Sequence, residues 1–133
     1  MEIREVTDNK KQYLSLLLLA DEQENMIDRY LESGTMFILK DSEVKAECVV
    51  TDAGNRILEI KNIAVYPDFQ GKGYGKKAVE LALEFVETFP HGKADYCWLC
   101  YDKNNEVARK LYLSMGFQEI GEQDDDINAV IKL

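Results

Sequence analysis

The chain has 133 residues, of which 46% are hydrophobic and 31% are charged, with a formal net charge of −9 and a pI near 4.6. This length is enough for one hydrophobic core but too short for two, so we expect a single domain over residues 1–133. The negative charge argues against a nucleic-acid partner or an anionic membrane surface. The N-terminus lacks a signal-peptide pattern and the longest apolar run, residues 16–20, cannot span a bilayer, which predicts a cytoplasmic protein.

The first half of the chain predicts a strand, two helices and three antiparallel strands. An alternating pattern predicts a strand over residues 2–7, with Asp8 or Asn9 capping the following helix. Apolar residues at helical spacing predict that helix up to Ala20 and a second one from residue 21 or 22 to 31, ended by Ser33 and Gly34. Strand patterns then cover residues 35–40, 43–51 and 56–66.

The second half predicts a parallel crossover and a final hairpin. A helical pattern runs from about Tyr74 to Phe89 and ends at the sequence Pro90, His91, Gly92. A strand at 94–101, a helix at 105–115, and strands at 117–121 and 127–133 flanking an acidic turn at 122–126 complete the chain. The sequence therefore predicts an α/β (α+β) fold in the order β-α-α-β-β-β-α-β-α-β-β. Such a fold has about four helices on a mixed, mostly antiparallel sheet of about seven strands.

Three alternate glycines, Gly71, Gly73 and Gly75, lie between a strand pattern and a helix start. Without Cβ atoms, their backbone N–H groups can point into one concavity, and the helix N-terminus adds unpaired donors and a positive dipole end. Lysines at 72, 76 and 77 bring local positive charge. The segment predicts a site for an anionic, phosphate-bearing ligand.

Two common phosphate motifs do not fit this loop. A Walker A loop has the spacing GxxxxGK(S/T), but Gly71 and Gly75 are one residue too close and Lys76 is followed by a lysine instead of a hydroxyl residue. The dinucleotide fingerprint GxGxxG needs its third glycine inside the helix, which this spacing does not provide. Neither a P-loop NTPase nor a Rossmann domain is expected.

The loop resembles the Q/R-x-x-G-x-G segment of the GNAT superfamily of acetyl-coenzyme A dependent N-acetyltransferases, with Gln70, Gly73 and Gly75 in register. A second segment, NEVARKLYLSMGF at residues 105–117, resembles the family pattern N-x-x-A/S-x-x-L/F-Y-x-x-x-G-F. The predicted element order is similar to the GNAT fold over essentially the whole chain. The resemblance implies acetyl-CoA as cosubstrate, no metal, and transfer of acetyl to a primary amine of a small molecule or peptide.

The resemblance also implies the cofactor-binding residues. In the family, loop amides hold the pyrophosphate, and the backbone N–H at the position of Val65 bonds the thioester carbonyl. Asn105 would contact the pantetheine arm, or it is simply a helix cap. The full set is Ile63, Ala64, Val65, Gln70, Gly71, Lys72, Gly73, Tyr74, Gly75, Lys76, Asn105, Ala108 and Tyr112.

Glu59 and Tyr112 are the expected catalytic residues. Deprotonating an alkyl amine at pH 7 costs about 4 kcal/mol, so a general base is useful. Several family members place a glutamate at the position of Glu59. Partial burial beside Ile57 and Ile63 would raise the pKa of this side chain. The alternative is a surface glutamate facing Lys61. Tyr112 matches the tyrosine near the cofactor sulfur, where we expect it to donate a hydrogen bond to the departing sulfur; the alternative is helix packing.

The cysteines and the histidine give no sign of covalent catalysis. Cys97 and Cys100 form a C-x-x-C in a predicted strand, where side chains three residues apart face opposite sides. We expect buried, reduced cysteines without zinc or a disulfide. His91 is expected to be a solvated turn residue and Trp98 a core residue on the cofactor side.

Acceptor specificity in the family comes from the first helix pair and the final hairpin. Both are acidic, through Asp21, Glu22, Glu24 and Asp28 in one and Glu122, Asp124, Asp125 and Asp126 in the other. These surfaces would attract a cationic acceptor, or they are merely solvated faces. The sequence leaves open a monomer or a homodimer. A catalytically silent acyl-CoA binding module is the rival function, which the joint presence of Glu59 and Tyr112 disfavours.

Overall fold

Seven strands form one sheet in the computed structural model, which describes residues 2–87 and 94–133 and only the backbone of residues 85–87. The strands are β1 (Glu2–Val6), β2 (Thr35–Asp41), β3 (Glu43–Gly54), β4 (Ile57–Val65), β5 (Tyr96–Asp102), β6 (Gln118–Gln123) and β7 (Asp126–Lys132). Their order across the sheet is β1-β2-β3-β4-β5-β7-β6. Only the β4–β5 neighbours run parallel among these strands. The predicted mixed, mostly antiparallel sheet is confirmed.

Helices cover both faces of this sheet. They are α1 (Leu14–Ala20), α2 (Glu24–Ile27), α3 (Tyr74–Glu87) and α4 (Glu106–Ser114), with short 3-10 turns at Lys10–Tyr13 and Pro67–Phe69. Helices α1 and α2 pack on one face, and α3 and α4 on the other. The predicted element order is confirmed. No helix in the described ranges is long and apolar enough to cross a membrane.

The sheet separates two hydrophobic cores. Cys48, Val50 and Leu58 pack with α3 and α4, whereas Met36, Ile38 and Val49 pack with α1 and α2. Because both faces of the central strands are covered, residues 46–50 of β3 are buried without interruption, although the sequence of this strand mixes apolar and charged residues.

Strand β4 carries a bulge at Lys61. Opposite it on β3, Val49 pairs with Asn62 and Val50 with Ile60, which leaves Lys61 as the extra residue. The extra residue shifts the alternation, so Ile60 before it and Ile63 after it both face the α3/α4 core. Asn62 consequently faces α1 and α2.

Strands β4 and β5 pair over a short distance and then separate. The parallel pairing runs from Ile57 with Tyr96 to Glu59 with Trp98. Beyond it, β4 pairs only with β3 and β5 only with β7 among the described strands. An opening therefore forms in the sheet beside the bulge.

The second predicted helix is far shorter than expected. Only Glu24–Ile27 is helical, and the chain continues in turns to residue 33. The carbonyls of Leu31 and Gly34 each accept a hydrogen bond of 2.8 Å from Nζ of the buried Lys10. A side chain from a distant segment thus satisfies carbonyls that helical hydrogen bonds leave unpaired at this end of the segment.

Two smaller predictions were wrong in detail. Asn9 occupies the cap position in a left-handed conformation with φ of 46°, and its side chain makes no cap hydrogen bond. The last two strands extend further than predicted, so the acidic turn shrinks to the pair Asp124 and Asp125, with Asp124 at φ of 55°. The predicted helix end at Phe89 to Gly92, including His91, lies outside the described residues.

Candidate active site

The opening between β4 and β5 forms a cavity of about 620 Å³. Residues 60–65 of β4 line one side and residues 99–102 of β5 the other. The glycine loop and α4 border it on one face of the sheet, and Leu19 and Ala20 at the end of α1 border it on the other. One cavity therefore connects the two faces of the sheet.

The glycine loop forms a cradle of backbone donors. Gly71 and Gly73 adopt φ of 78° and 89°, a conformation open mainly to glycine, and a Cβ added at either would meet nothing within 4 Å. The amide of Lys77 donates to the Gly73 carbonyl at 3.0 Å, so the N–H groups of residues 74–76 precede the first helical bond of α3. Open space, free amides and a helix N-terminus together fit an anion.

The backbone of Val65 faces the opening. The amide of Tyr66 donates to the Lys45 carbonyl of β3 at 3.0 Å, and strand amides alternate in direction, so the N–H and C=O of Val65 point away from β3. The Val65 carbonyl accepts a 3.1 Å bond from Nε2 of Gln70. The Val65 N–H is left directed toward the cavity.

Tyr112 lies on α4 with only 6% of its surface exposed. Its ring packs against Tyr101 and Phe117, with centroids 5.5 and 5.8 Å away. Burial is the main cause that raises the pKa of this phenol above its usual value. The residue also lines the cavity, so a hydroxyl that keeps its proton borders the site.

Glu59 is partly buried and also contacts Lys61. Its side chain is 20% exposed, and its Oε2 lies 2.8 Å from Nζ of Lys61. Lys61 lines the cavity, whereas Glu59 is not among the lining residues. The carboxylate therefore stands behind the bulge lysine, at the edge of the opening.

The structure brings most predicted cofactor residues to one cavity. Twelve of the thirteen line it; Lys72 does not, and its Nζ lies 5.9 Å from the Phe69 ring centroid. Asn105 caps α4, because its Oδ1 accepts a 3.1 Å bond from the Ala108 amide. Its Nδ2 retains its donors for another partner.

The two strand cysteines face opposite sides, as predicted, but the expectation that both are buried was wrong. Cys97 is fully buried, whereas Cys100 is exposed and lines the cavity. Strand β5 has already separated from β4 at Cys100, so this face opens to the site. The surface of the residue is exposed, but its thiol is partly desolvated, and this desolvation, followed by the Asp126 carboxylate, raises the pKa of Cys100. Trp98, predicted in the core, is only half-buried and lies outside both core clusters.

A buried polar cluster under α1 and α2 was not foreseen from the sequence. Nδ2 of Asn62 donates to the Leu17 carbonyl at 3.1 Å and to the Tyr30 hydroxyl at 3.0 Å. The Tyr30 hydroxyl donates to Oδ2 of Asp21 at 3.2 Å, and burial raises the pKa of Tyr30 to about 12. The Leu17 carbonyl accepts only, which fixes which end of the Asn62 amide faces it.

Glu47 belongs to the same face of the sheet. It lies opposite Ala64 on β4 and is fully buried, and both carboxyl oxygens lack a hydrogen-bond partner in the described part of the chain. Burial raises its pKa well above the ordinary value. The position of Glu47 between Ala46 and Cys48, in a strand with apolar residues on both sides, was the available sequence signal, because an acid buried there must be neutral or paired.

Lysines partly offset the acidic surfaces. Nζ of Lys11 lies 2.9 Å from Glu24 and 2.6 Å from Asp28, and Nζ of Lys103 lies 3.4 Å from Asp125. Asp21 is engaged with Tyr30. Two lysines therefore offset only part of the charge of these carboxylates, and both surfaces stay negative.

A sheet opened between its parallel strands, with a donor cradle at one face, defines an α/β protein with a site suited to a phosphate-bearing ligand. The family model described as Acetyltransferase (GNAT) family matches residues 4–117. The chain is 35% identical over 119 residues to YvbK, an uncharacterised N-acetyltransferase of Bacillus subtilis, covering 89% of this chain and 74% of that protein.

Solved structures agree with this match. An IAA acetyltransferase from Bacillus cereus superposes with a TM-score of 0.89 at 25% identity, covering 99% of both chains. A Bacillus subtilis acetyltransferase in complex with CoA gives a TM-score of 0.86 at 26% identity, covering 99% of this chain and 98% of that one. The chain belongs to the GNAT acetyltransferase family and is an acyltransferase.

Proposed function

We propose that the chain, acting as a single domain over residues 1–133, transfers an acetyl group from acetyl-CoA to a primary amine of a small molecule or peptide. The observation that carries this proposal is the cavity through the sheet, with the glycine cradle at one face and the end of α1 at the other. Two substrates entering from opposite faces would meet beside Val65, which favours direct attack in a ternary complex.

The cradle suits the diphosphate of coenzyme A. The donors are the amides of residues 73–76, with Lys76 at the cavity wall, and the open space at Gly71 and Gly73 gives the room. Nδ2 of Asn105 and the half-buried Ala108 line the path toward the reaction centre. When bound, acetyl-CoA supplies the activated acetyl thioester.

Val65 and Tyr112 would act on the reacting groups. The Val65 N–H, directed toward the cavity, would donate to the oxygen that becomes negative during attack. Burial raises the pKa of Tyr112. This residue would donate a hydrogen bond to the departing sulfur while keeping its proton until late in the reaction. Neither role requires a covalent enzyme intermediate, and the raised pKa of Cys100 keeps that thiol protonated.

Glu59 is the proposed general base. It lies on β4 beside the opening, paired with Lys61, and a water molecule could carry the proton from the amine to it. The acidic residues near α1 would attract a cationic amine, although ion pairs with Lys11 reduce their net charge.

Two measurements test this function. Thiol release from acetyl-CoA should appear with at least one member of a primary-amine panel; silence with every amine, together with CoA binding, would favour a silent acyl-CoA binding module. Calorimetry should show CoA binding weakened about a hundredfold or more in Gly73→Asp.

Gly54→Asp is the matched control. Gly54 has φ of 81° and, like Gly73, nothing within 4 Å of an added Cβ, so both substitutions impose similar backbone strain. Gly54 ends β3, in the turn before β4, far along the strand from the cradle. Equal CoA affinity in the two variants would refute the cradle.

A further inference from the structure

A closed ring of hydrogen bonds ties the end of α1 to the bulge of β4. Asn62 Nδ2 donates to the Leu17 carbonyl at 3.1 Å and to the Tyr30 hydroxyl at 3.0 Å, and that hydroxyl donates to Asp21 Oδ2 at 3.2 Å. The Asp21 amide donates to the same Leu17 carbonyl at 3.2 Å, which closes the ring. We call this set of residues, Leu17, Asp21, Tyr30 and Asn62, the polar ring.

The polar ring encloses the segment of α1 that borders the cavity. Leu19 and Ala20 line the cavity, and they lie between Leu17 and Asp21 in the chain. Both ends of this short segment are held by ring bonds, and Asn62 itself lines the cavity next to Ile63. The position of Leu19 and Ala20 relative to the Val65 amide therefore depends on the polar ring.

Burial makes the ring geometry well defined. Asn62 is 3% exposed and Tyr30 is 9% exposed, so their polar groups cannot exchange freely with water. Asn62 has both donors engaged, Tyr30 donates its single proton, and the Leu17 carbonyl accepts twice. Loss of one bond would free the end of α1 without emptying the core beneath it.

We propose that the polar ring is a positioning device for the acceptor amine, holding the wall formed by Leu19 and Ala20 at the distance the amine needs to reach the thioester. The inference rests on the proposed function and assigns Asn62, Tyr30 and Asp21 as positioning residues. Tyr30 acts through this wall, whereas Asn62 also lines the cavity from β4.

Tyr30→Phe tests the proposal with little change in side-chain volume. It removes the hydroxyl shared by Asn62 and Asp21 and keeps the ring of the side chain in the core. We expect KM for an amine active in the panel, with putrescine and alaninamide as first probes, to rise about tenfold. The turnover number and the calorimetric Kd for CoA should stay within about twofold of wild type.

Ile27→Val is the control for stability. Ile27 is fully buried in the same core as Tyr30 and makes no polar-ring bond, so it should lower thermal stability without changing KM for the amine. Amide hydrogen exchange supplies a readout without turnover. Residues 17–21 should exchange faster in Tyr30→Phe than in Ile27→Val at matched stability.

Two substitutions of Asp21 separate positioning from charge. Asp21→Asn retains an oxygen that can accept from Tyr30, whereas Asp21→Ala does not. If the ring positions the acceptor, KM for the amine should rise in Asp21→Ala and stay near the wild-type value in Asp21→Asn. If Asp21 acts by attracting a cationic amine, the two variants raise KM equally, and the proposal fails.

Other outcomes also overturn the inference. Unchanged amine KM in Tyr30→Phe, or a parallel loss of CoA affinity, would leave the proposed function standing and reduce the ring to a stability role. A wild-type protein that binds CoA but acetylates no amine would end both the proposed function and this inference.

Discussion

Replacing Glu47 by Gln should change how stability depends on pH, because this carboxyl group is buried without a partner. Glu47 is fully buried on β3, and it interacts electrostatically with the Tyr30 phenol and the Cys48 thiol. Burial raises its pKa well above the ordinary glutamate value, so the folded protein holds a proton that the unfolded chain releases. Gln has nearly the same shape as the neutral acid and does not titrate.

The sign follows from proton binding in the two states. Above the ordinary glutamate pKa, unfolding of the wild type releases the Glu47 proton, so raising the pH favours unfolding. This loss continues until the pH at which folded Glu47 itself ionises. In that window the unfolding constant of the wild type should rise about tenfold per pH unit relative to the Glu47→Gln variant. This corresponds to a loss of about 1.4 kcal/mol in the free energy of unfolding per pH unit.

Urea denaturation followed by fluorescence of Trp98, the one tryptophan, measures the difference at a series of pH values. Other titrating groups are shared by both proteins and cancel. Glu119→Gln is a control of opposite sign, because hydrogen bonds from Tyr101 and then Arg109 lower the pKa of Glu119. The extra stability of the wild type over Glu119→Gln should be present above the ordinary glutamate pKa and should fade as the pH drops. A constant difference between wild type and Glu47→Gln would mean that Glu47 is not a buried neutral acid.

Four further predictions test the site and its support. Lys10→Met removes the donor to the Leu31 and neighbouring carbonyls and should cost about 3 kcal/mol in urea denaturation; no loss would show that these carbonyls need no donor. Tyr112→Phe should lower turnover about a hundredfold with CoA affinity unchanged by calorimetry, and an unaltered rate would assign the residue to packing. Glu59→Gln should lower turnover and alter its pH profile, and an intact profile would place the base elsewhere. Cys100→Ala should keep full turnover. Direct attack would be contradicted if mass spectra showed an acetylated form of the wild-type protein that the variant lacks.

Local sequence signals predicted the elements around the cradle well. The α4 boundaries followed from Asn105, which does cap the helix, and from Gly116, which follows it at φ of 101°. The glycine loop needed only neighbouring residues to be recognised, because positive φ at Gly71 and Gly73 is a property of the chain at those positions.

Features that depend on distant partners were not predictable in the same way. The second helix looked long from its periodicity, but the chain continues in turns after Ile27, and Lys10, more than twenty residues away, binds the Leu31 and Gly34 carbonyls there. Cys100 looked like any buried strand residue, and only the separation of β4 from β5 exposes it. In both cases the deciding contact joins segments whose pairing the local pattern does not record.

The bulge at Lys61 determines both sides of the proposed reaction site at once. If Lys61 were paired as a regular strand residue, with no bulge, the alternation of β4 would place Asn62 against α3 and α4 and would turn Ile63 toward α1. With it, Ile63 and Val65 face the α3/α4 core while Asn62 reaches the Leu17 carbonyl on the opposite face. A single inserted residue therefore serves the cofactor wall and the acceptor wall together.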